Sequence, residues 1–270
     1  MLEIQNKYKN IIDKFIIDII TSTQNKKGID ITLYNAMYYV LSSGGQRLRA
    51  SILLHVADAL KVDFDVAIVA AISLELLHNY TLVHDDLPSM DDDDMRRGIP
   101  SCHMKFGEGV AILTGNALFT LALQVLIDGL SQHNNMLFKI MQVLLNSIGI
   151  CGVLSGQSLD IKMRSHNMKS DTDIIPILDM YYLKTGKLFE AAFIIPCILA
   201  NIDANKQEIL GECGGIFGII YQIADDLADN TSMLDISIKD SLIETFNNLI
   251  DSTRLPSSSI ALLTQLIADL

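Results

Sequence analysis

Apolar positions recur along this chain at spacings of three and four residues over long stretches, and strict alternation is not sustained, a pattern that predicts helices rather than sheet. Ile11, Ile12, Phe15, Ile16, Ile19 and Ile20 form one face of a first helix, followed by a turn at 25–28. A short helix at 32–41 stops at Gly44 and Gly45, because paired glycines let the backbone take positive φ. Helices follow at 49–60 and 65–86. The second is apolar on nearly every face, as a central helix is, and runs into His84, Asp85 and Asp86. The polar stretch 87–103 reads as a loop or broken helix, since Pro88 and Pro100 disfavour regular structure. Beyond it the pattern predicts helices at 109–131, 135–159, 173–200, 206–229, 237–252 and 257–270, so the fold class is all-α.

Composition narrows the picture. The 270 residues are 50% hydrophobic with no linker-like segment, which supports one domain over 1–270. A formal net charge of −12 argues against nucleic acid as a partner, though not against small phosphates carried on divalent metal. The most apolar windows, 66–77 and 214–224, are too short to span a bilayer, so no membrane span is expected. Residues 1–10 carry Glu3, Lys7 and Lys9 before any apolar run, unlike a secretory signal, and a cytoplasmic location is expected. Cys102, Cys151, Cys197 and Cys213 show no CxxC spacing and read as reduced, mostly buried thiols.

Two acidic clusters carry the chemistry. Asp225, Asp226 and Asp229 are three and four residues apart, hence on one helix face, where like charges repel unless a hard cation bridges them. Taken alone, this cluster reads equally as a solvated helix end. The other cluster starts with Asp85 and Asp86 at the end of the most apolar helix, continues through Asp91 to Asp94, and is followed at once by Arg96 and Arg97. Carboxylates issuing from a buried helix and succeeded by guanidinium groups suggest a metal-bridged phosphate. Gln157 and Asp160 read either as site residues or as a buried hydrogen-bonded pair.

The clusters resemble the first and second aspartate-rich motifs of the trans-isoprenyl diphosphate synthases. Gly44-Gly-Gln-Arg-Leu-Arg49 is similar to that family's GGKRLR, Phe106-Gly-Glu108 with Gly115-Asn-Ala-Leu118 to its FGE and GDAL, and Glu75-Leu-Leu-His78, Gly156-Gln157, Lys184-Thr185-Gly186 and Tyr221-Gln222 also match. The resemblance covers most of the chain. It implies an orthogonal helical bundle around a central cavity, a homodimer, and Mg²⁺-dependent transfer of an allylic diphosphate onto isopentenyl diphosphate. Carried over, Asp85, Asp86, Asp91, Asp225 and Asp229 would hold the metal. Arg96, Lys184 and Gln222 would complete the allylic diphosphate site, and oxygens of Lys184, Thr185 and Gln222 would face the allylic cation. Gln46, Arg49, His78 and Arg97 would hold isopentenyl diphosphate.

Tyr80 and Thr81, one turn before Asp85, are the expected chain-length residues. A bulky Tyr80 favours a C15 product, farnesyl diphosphate, over C20 or C10. Three positions depart from the family. Gln46 replaces a lysine, Asn116 replaces an aspartate, and the Lys- and Gly-rich loop expected after Asp229 is either deleted or missing from the sequence as read. A class I terpene cyclase and a non-catalytic partner subunit are the alternatives.

Overall fold

A computed structural model describes residues 2–24, 27–165, 174–229, 231–232 and 234–270. Helices dominate: α1 Leu2–Thr23, α2 Ile31–Ser42, α3 Leu48–Ala59, α4 Phe64–Asp85, α5 Cys102–Phe106, α6 Glu108–Leu130, α7 Asn134–Ile148, α8 Val153–Ser165, α9 Ile174–Tyr181, α10 Lys187–Leu199, α11 Ala204–Ala228, α12 Ile236–Ser252 and α13 Ser257–Ala268. Several starts are fixed by an aspartate accepting backbone N–H groups, as Asp30 does for α2, Asp203 for α11 and Asp235 for α12. The all-α expectation holds.

Helix α4 is central, packed against α3, α6 and α10, and every apolar residue it carries between Ala70 and Leu77 is buried. A main core joins residues from α1 to α13. A smaller one gathers Met163 of α8, Ile177, Met180 and Tyr181 of α9, Ile223 of α11, and Leu234.

Three expectations are corrected. The stretch 135–159 is two helices, α7 and α8, broken between Ile148 and Val153. A Cβ at Gly152 would meet the Ser147 carbonyl oxygen at 1.9 Å, so this tight link requires glycine. The stretch 173–200 is interrupted by a π-turn, Tyr182–Gly186, between α9 and α10. Third, length gives no ground against a membrane span: among the described residues, three stretches are long and apolar enough to cross a membrane by length and composition alone, Phe64–Asp85, Glu108–Leu130 and Asn134–Ser165. The apolar window of α4 is 72% buried within the bundle, against 39% for the other two, so the core accounts for its hydropathy.

The segment 87–101 is a loop carrying a minimal hairpin, β1 Met95–Arg96 and β2 Ile99–Pro100, and α5 begins directly after it at Cys102. Its turn residues Arg97 and Gly98 both have positive φ, 55° and 78°, as a two-residue turn matched to strand twist requires. The turn expected at 25–28 is present at Lys27 and Gly28, while Asn25 and Lys26 lie outside the described residues. Four free thiols are found, three of them buried and Cys151 exposed.

Candidate active site

The end of α4, the start of α3, the hairpin, the π-turn and the end of α11 enclose a cavity of about 510 Å³. Its two long walls differ in chemistry.

The basic wall holds Arg49, His78 and Arg97. Arg49 lies over the Phe189 ring, 4.3 Å from its centroid, with Nη1 3.2 Å from His78 Nε2. A guanidinium only donates, so His78 Nε2 accepts and the ring is neutral. Burial, reinforced by the neighbouring guanidinium of Arg49, holds His78 well below its ordinary pKa. Arg97 Nη1 donates to the Gly44 carbonyl at 2.6 Å, to Asn79 Oδ1 at 3.2 Å and to Ser43 Oγ at 3.3 Å. The guanidinium rests on Gly45, where a Cβ would lie 2.6 Å from Arg97 Cζ. Gln46 also lines the cavity, its Oε1 accepting from the Tyr221 hydroxyl at 3.4 Å.

The acidic wall holds Asp85 and Asp91 on one side, Asp225 and Asp229 on the other. Burial pushes the Asp85 carboxyl up to about 7; Lys184 opposes the rise, and Asp91 and Asp86 add to it. Asp225 is raised by burial and then by Asp229 and Asp226. Burial works to raise Asp91 too, but Lys184, Arg164 and Gln157 together hold it below the usual range. Its Oδ1 accepts from Arg164 Nη2 at 2.6 Å and Gln157 Nε2 at 3.0 Å.

Between the walls, Lys184 Nζ is bonded to Asp160 and stands 3.7 Å from Asp91 Oδ2. Thr185 Oγ1 donates to Gln222 Oε1 at 2.6 Å, and Gln222 Nε2 donates to Asp226 Oδ1 at 2.8 Å. The Tyr181 hydroxyl also donates to Asp226, which is thereby committed to holding α11 against α9.

Asp86, Gln157 and Asp160 are not among the residues that line this cavity. Asp86 is 3% exposed and accepts from Arg96 Nε at 2.9 Å and Nη2 at 2.5 Å. Being one residue past Asp85 rotates it about 100° around the helix, toward the hairpin. Arg96 does line the cavity, but its Nη2 is shared between Asp86 and Asp93, the latter at 2.8 Å. Gln157 and Asp160 do not pair with each other: Gln157 binds Asp91, whereas Asp160 holds Lys184 and, at 3.2 Å, Arg164.

A second cavity of about 220 Å³ adjoins the first, the two sharing Thr81, Asp85 and Val153. Tyr80, Leu154 and Ile161 make most of it apolar. Tyr80 is half-buried and packs edge-on against His84 and Phe119, with centroids 5.1 and 5.5 Å apart.

Among the described residues no three acidic, histidine or cysteine side chains converge into a ready-made metal site. Carboxylates facing one another across an open cavity nevertheless fit Mg²⁺. That ion is typically bound by one or two carboxylates, with substrate phosphates and water completing its shell.

The profile of the polyprenyl synthetase family matches residues 30–240. The chain belongs to the trans-isoprenyl diphosphate synthases. Relatives in this family include the farnesyl diphosphate synthase of Geobacillus stearothermophilus, 35% identical over 73% of this chain and 66% of its own length. The geranylgeranyl diphosphate synthase of Methanosarcina mazei is 34% identical over 85% of this chain and 67% of its own. The aligned part of this chain thus spans about two thirds of these curated synthases. Among solved structures, the FPP/GFPP synthase of Zymomonas mobilis superimposes with a TM-score of 0.88 over 97% of this chain and 95% of that one, at 26% identity. The geranyltransferase of Legionella pneumophila gives 0.85 over 99% and 94%, at 33% identity.

Within this synthase fold, sequence reasoning missed several contributors. Arg47 and Glu75 form a buried ion pair at the foot of the basic wall, Nη1 to Oε1 3.1 Å, with both side chains 1% exposed. Asn79 bridges that pair to Arg97, and Arg164 reaches Asp91 from the last turn of α8. Glu75 and Asn79 carried a signal, being polar residues inside an otherwise apolar helix. Arg164 carried none.

Proposed function

We propose that the protein is a Mg²⁺-dependent short-chain prenyltransferase, condensing dimethylallyl or geranyl diphosphate with isopentenyl diphosphate, with farnesyl diphosphate as main product. The observation that carries this reading is that a basic wall and an acidic wall line one cavity and an apolar pocket opens beside the acidic one. A reaction joining two diphosphates needs two unlike anion sites, one to stabilise a departing pyrophosphate and one merely to anchor.

Asp85, Asp91, Asp225 and Asp229 would hold the metal on the allylic diphosphate. Bound there, Mg²⁺ supplies positive charge against the charge that grows on the leaving pyrophosphate. Lys184 adds a fixed cation on the same side. Thr185 and Gln222, locked to each other, present oxygens to the carbon that becomes cationic, without motion at the moment of reaction. Arg49, His78 and Arg97 anchor isopentenyl diphosphate opposite. Its double bond attacks allylic C1 as the C1–O bond breaks, and the proton then lost from C2 goes to the released pyrophosphate, so no protein base is required. The growing chain enters the pocket beside Thr81, and Tyr80 limits its length.

The apolar faces left open on α6 and α7, with Leu113 57% and Phe138 68% exposed, support a homodimer. Incubation with isopentenyl diphosphate, each allylic starter and Mg²⁺, followed by chromatography of the dephosphorylated products, tests the reading. Farnesol is expected. Cyclic hydrocarbons from a supplied longer diphosphate would indicate a cyclase, and turnover only with a second protein would indicate a partner subunit.

A further inference from the structure

Asn79 is completely buried in α4. Its Nδ2 donates to the Glu75 carbonyl at 2.8 Å and approaches Glu75 Oε1 at 3.4 Å. With both acceptors behind it, the amide has one sensible orientation, and Oδ1 faces Arg97 Nη1. Glu75 is fixed in turn by Arg47, which is 3% exposed and held at φ 53°. Arg47 Nε donates to Asp13 Oδ1 at 2.8 Å and Nη2 to the Leu41 carbonyl at 2.7 Å. A hydrogen-bonded chain thus runs from α1 through the core to the hairpin.

The end of that chain matters for a ligand. Arg97 is bonded to the protein through Nη1, leaving Nε and Nη2 for whatever enters the cavity it lines. Beside it, Arg49 Nε is buried without a partner. An unmet buried donor next to a guanidinium edge is satisfied by an anion's oxygens.

We propose that Asn79, backed by the Arg47, Glu75 and Asp13 cluster, is a positioning residue that presents the free edge of Arg97 to a diphosphate; the proposal rests on reading the basic wall as the isopentenyl diphosphate subsite. Asn79 itself touches no substrate. The competing view is that its amide serves only the core, as a cap for the Glu75 carbonyl.

Calorimetric titration of the full chain with inorganic pyrophosphate in EDTA isolates the basic wall from the metal-dependent one. Asn79→Leu, confirmed folded by its melting profile, is expected to weaken binding about tenfold, the worth of a hydrogen bond to a charged group. The double variant Asn79→Leu/Arg97→Ala should bind no worse than Arg97→Ala alone, because Asn79 acts through Arg97. In turnover, KM for isopentenyl diphosphate rises while KM for the allylic substrate and kcat stay near wild type. If Asn79→Leu does not fold, Asp13→Asn, on the half-exposed outer end of the chain, gives the same pattern more weakly. Unchanged pyrophosphate binding in the variants, additive losses in the double variant, or a wild-type chain that does not bind pyrophosphate in EDTA would each overturn the proposal. Weakened binding in a chain that shows no elongation would uphold the relay and refute the prenyltransferase reading alone.

Discussion

The two walls of the cavity solve opposite electrostatic problems. On the basic wall the cations are braced: Arg49 against Phe189 and His78, Arg97 against Gly44 and Asn79, Arg47 between two carboxylates. On the acidic wall Asp85 and Asp225 face other carboxylates, and both are driven toward their protonated forms. The first wall is held in place by the protein before a ligand arrives, with Arg49 Nε left over for an anion; the second is under repulsion until cations arrive. The contrast teaches which half of the site is preorganised by the fold and which half is assembled by what binds.

That contrast is most sharply tested at the adjacent pair Asp85 and Asp86. Asp85→Asn is expected to reduce elongation at least about a hundredfold, the scale of losing a group that stabilises transition-state charge, in steady-state assays with saturating Mg²⁺. Asp86→Asn, which weakens the ion pair between a buried carboxylate and the partly exposed Arg96, should chiefly lower Tm, by destabilising the hairpin that carries Arg97. Equal kinetic losses with unchanged Tm would erase the distinction between the two residues.

Tyr80→Ala should open the apolar pocket and move the main product toward C20 or longer, read by chromatography. An unaltered product profile would mean that another residue closes the pocket. On the basic wall, Gln46→Lys adds a cation at its partly exposed edge. It should lower KM for isopentenyl diphosphate by a few fold at low salt, less as ionic strength rises, with no change in the allylic KM.

The smallest effect concerns pH. His78 titrates well below its unfolded value of about 6.5, so under acid conditions the unfolded chain binds a proton that the folded chain refuses. Folded stability is therefore greatest above that value and declines as pH falls below it. His78→Gln should flatten the fall of Tm between about pH 6.5 and 5. His55, also depressed by burial, leaves a residual slope.

The helices were legible because burial on one or all faces writes a 3.6-residue period into the chain, and α4 was readable as the central helix for that reason. The break at Gly149 to Gly152 was not, since apolar residues on either side keep the helical period while the backbone turns. The acidic clusters and the arginines were legible as chemistry, but not as individual assignments. Neighbouring residues such as Asp85 and Asp86 differ only in which way they leave the helix, and that is decided by Arg96, ten residues later. The bracing of Arg97 was out of reach because its parts come from α1, the link between α2 and α3, α4 and the hairpin, with no local spacing to connect them.

The π-turn at Tyr182–Gly186 separates two helices that serve different cores, α9 the smaller and α10 the larger. Each residue advances an α-helix by about 100°, so a π-turn acts as a phase shifter between the two apolar stripes. Removing one codon within it would leave every side chain in Lys187–Leu199 chemically intact yet rotate α9 and its partners out of register with α10. A change of length in this segment should therefore be damaging in itself, a constraint separate from the one that Lys184, Thr185 and the sterically enclosed Gly186 place on its side chains.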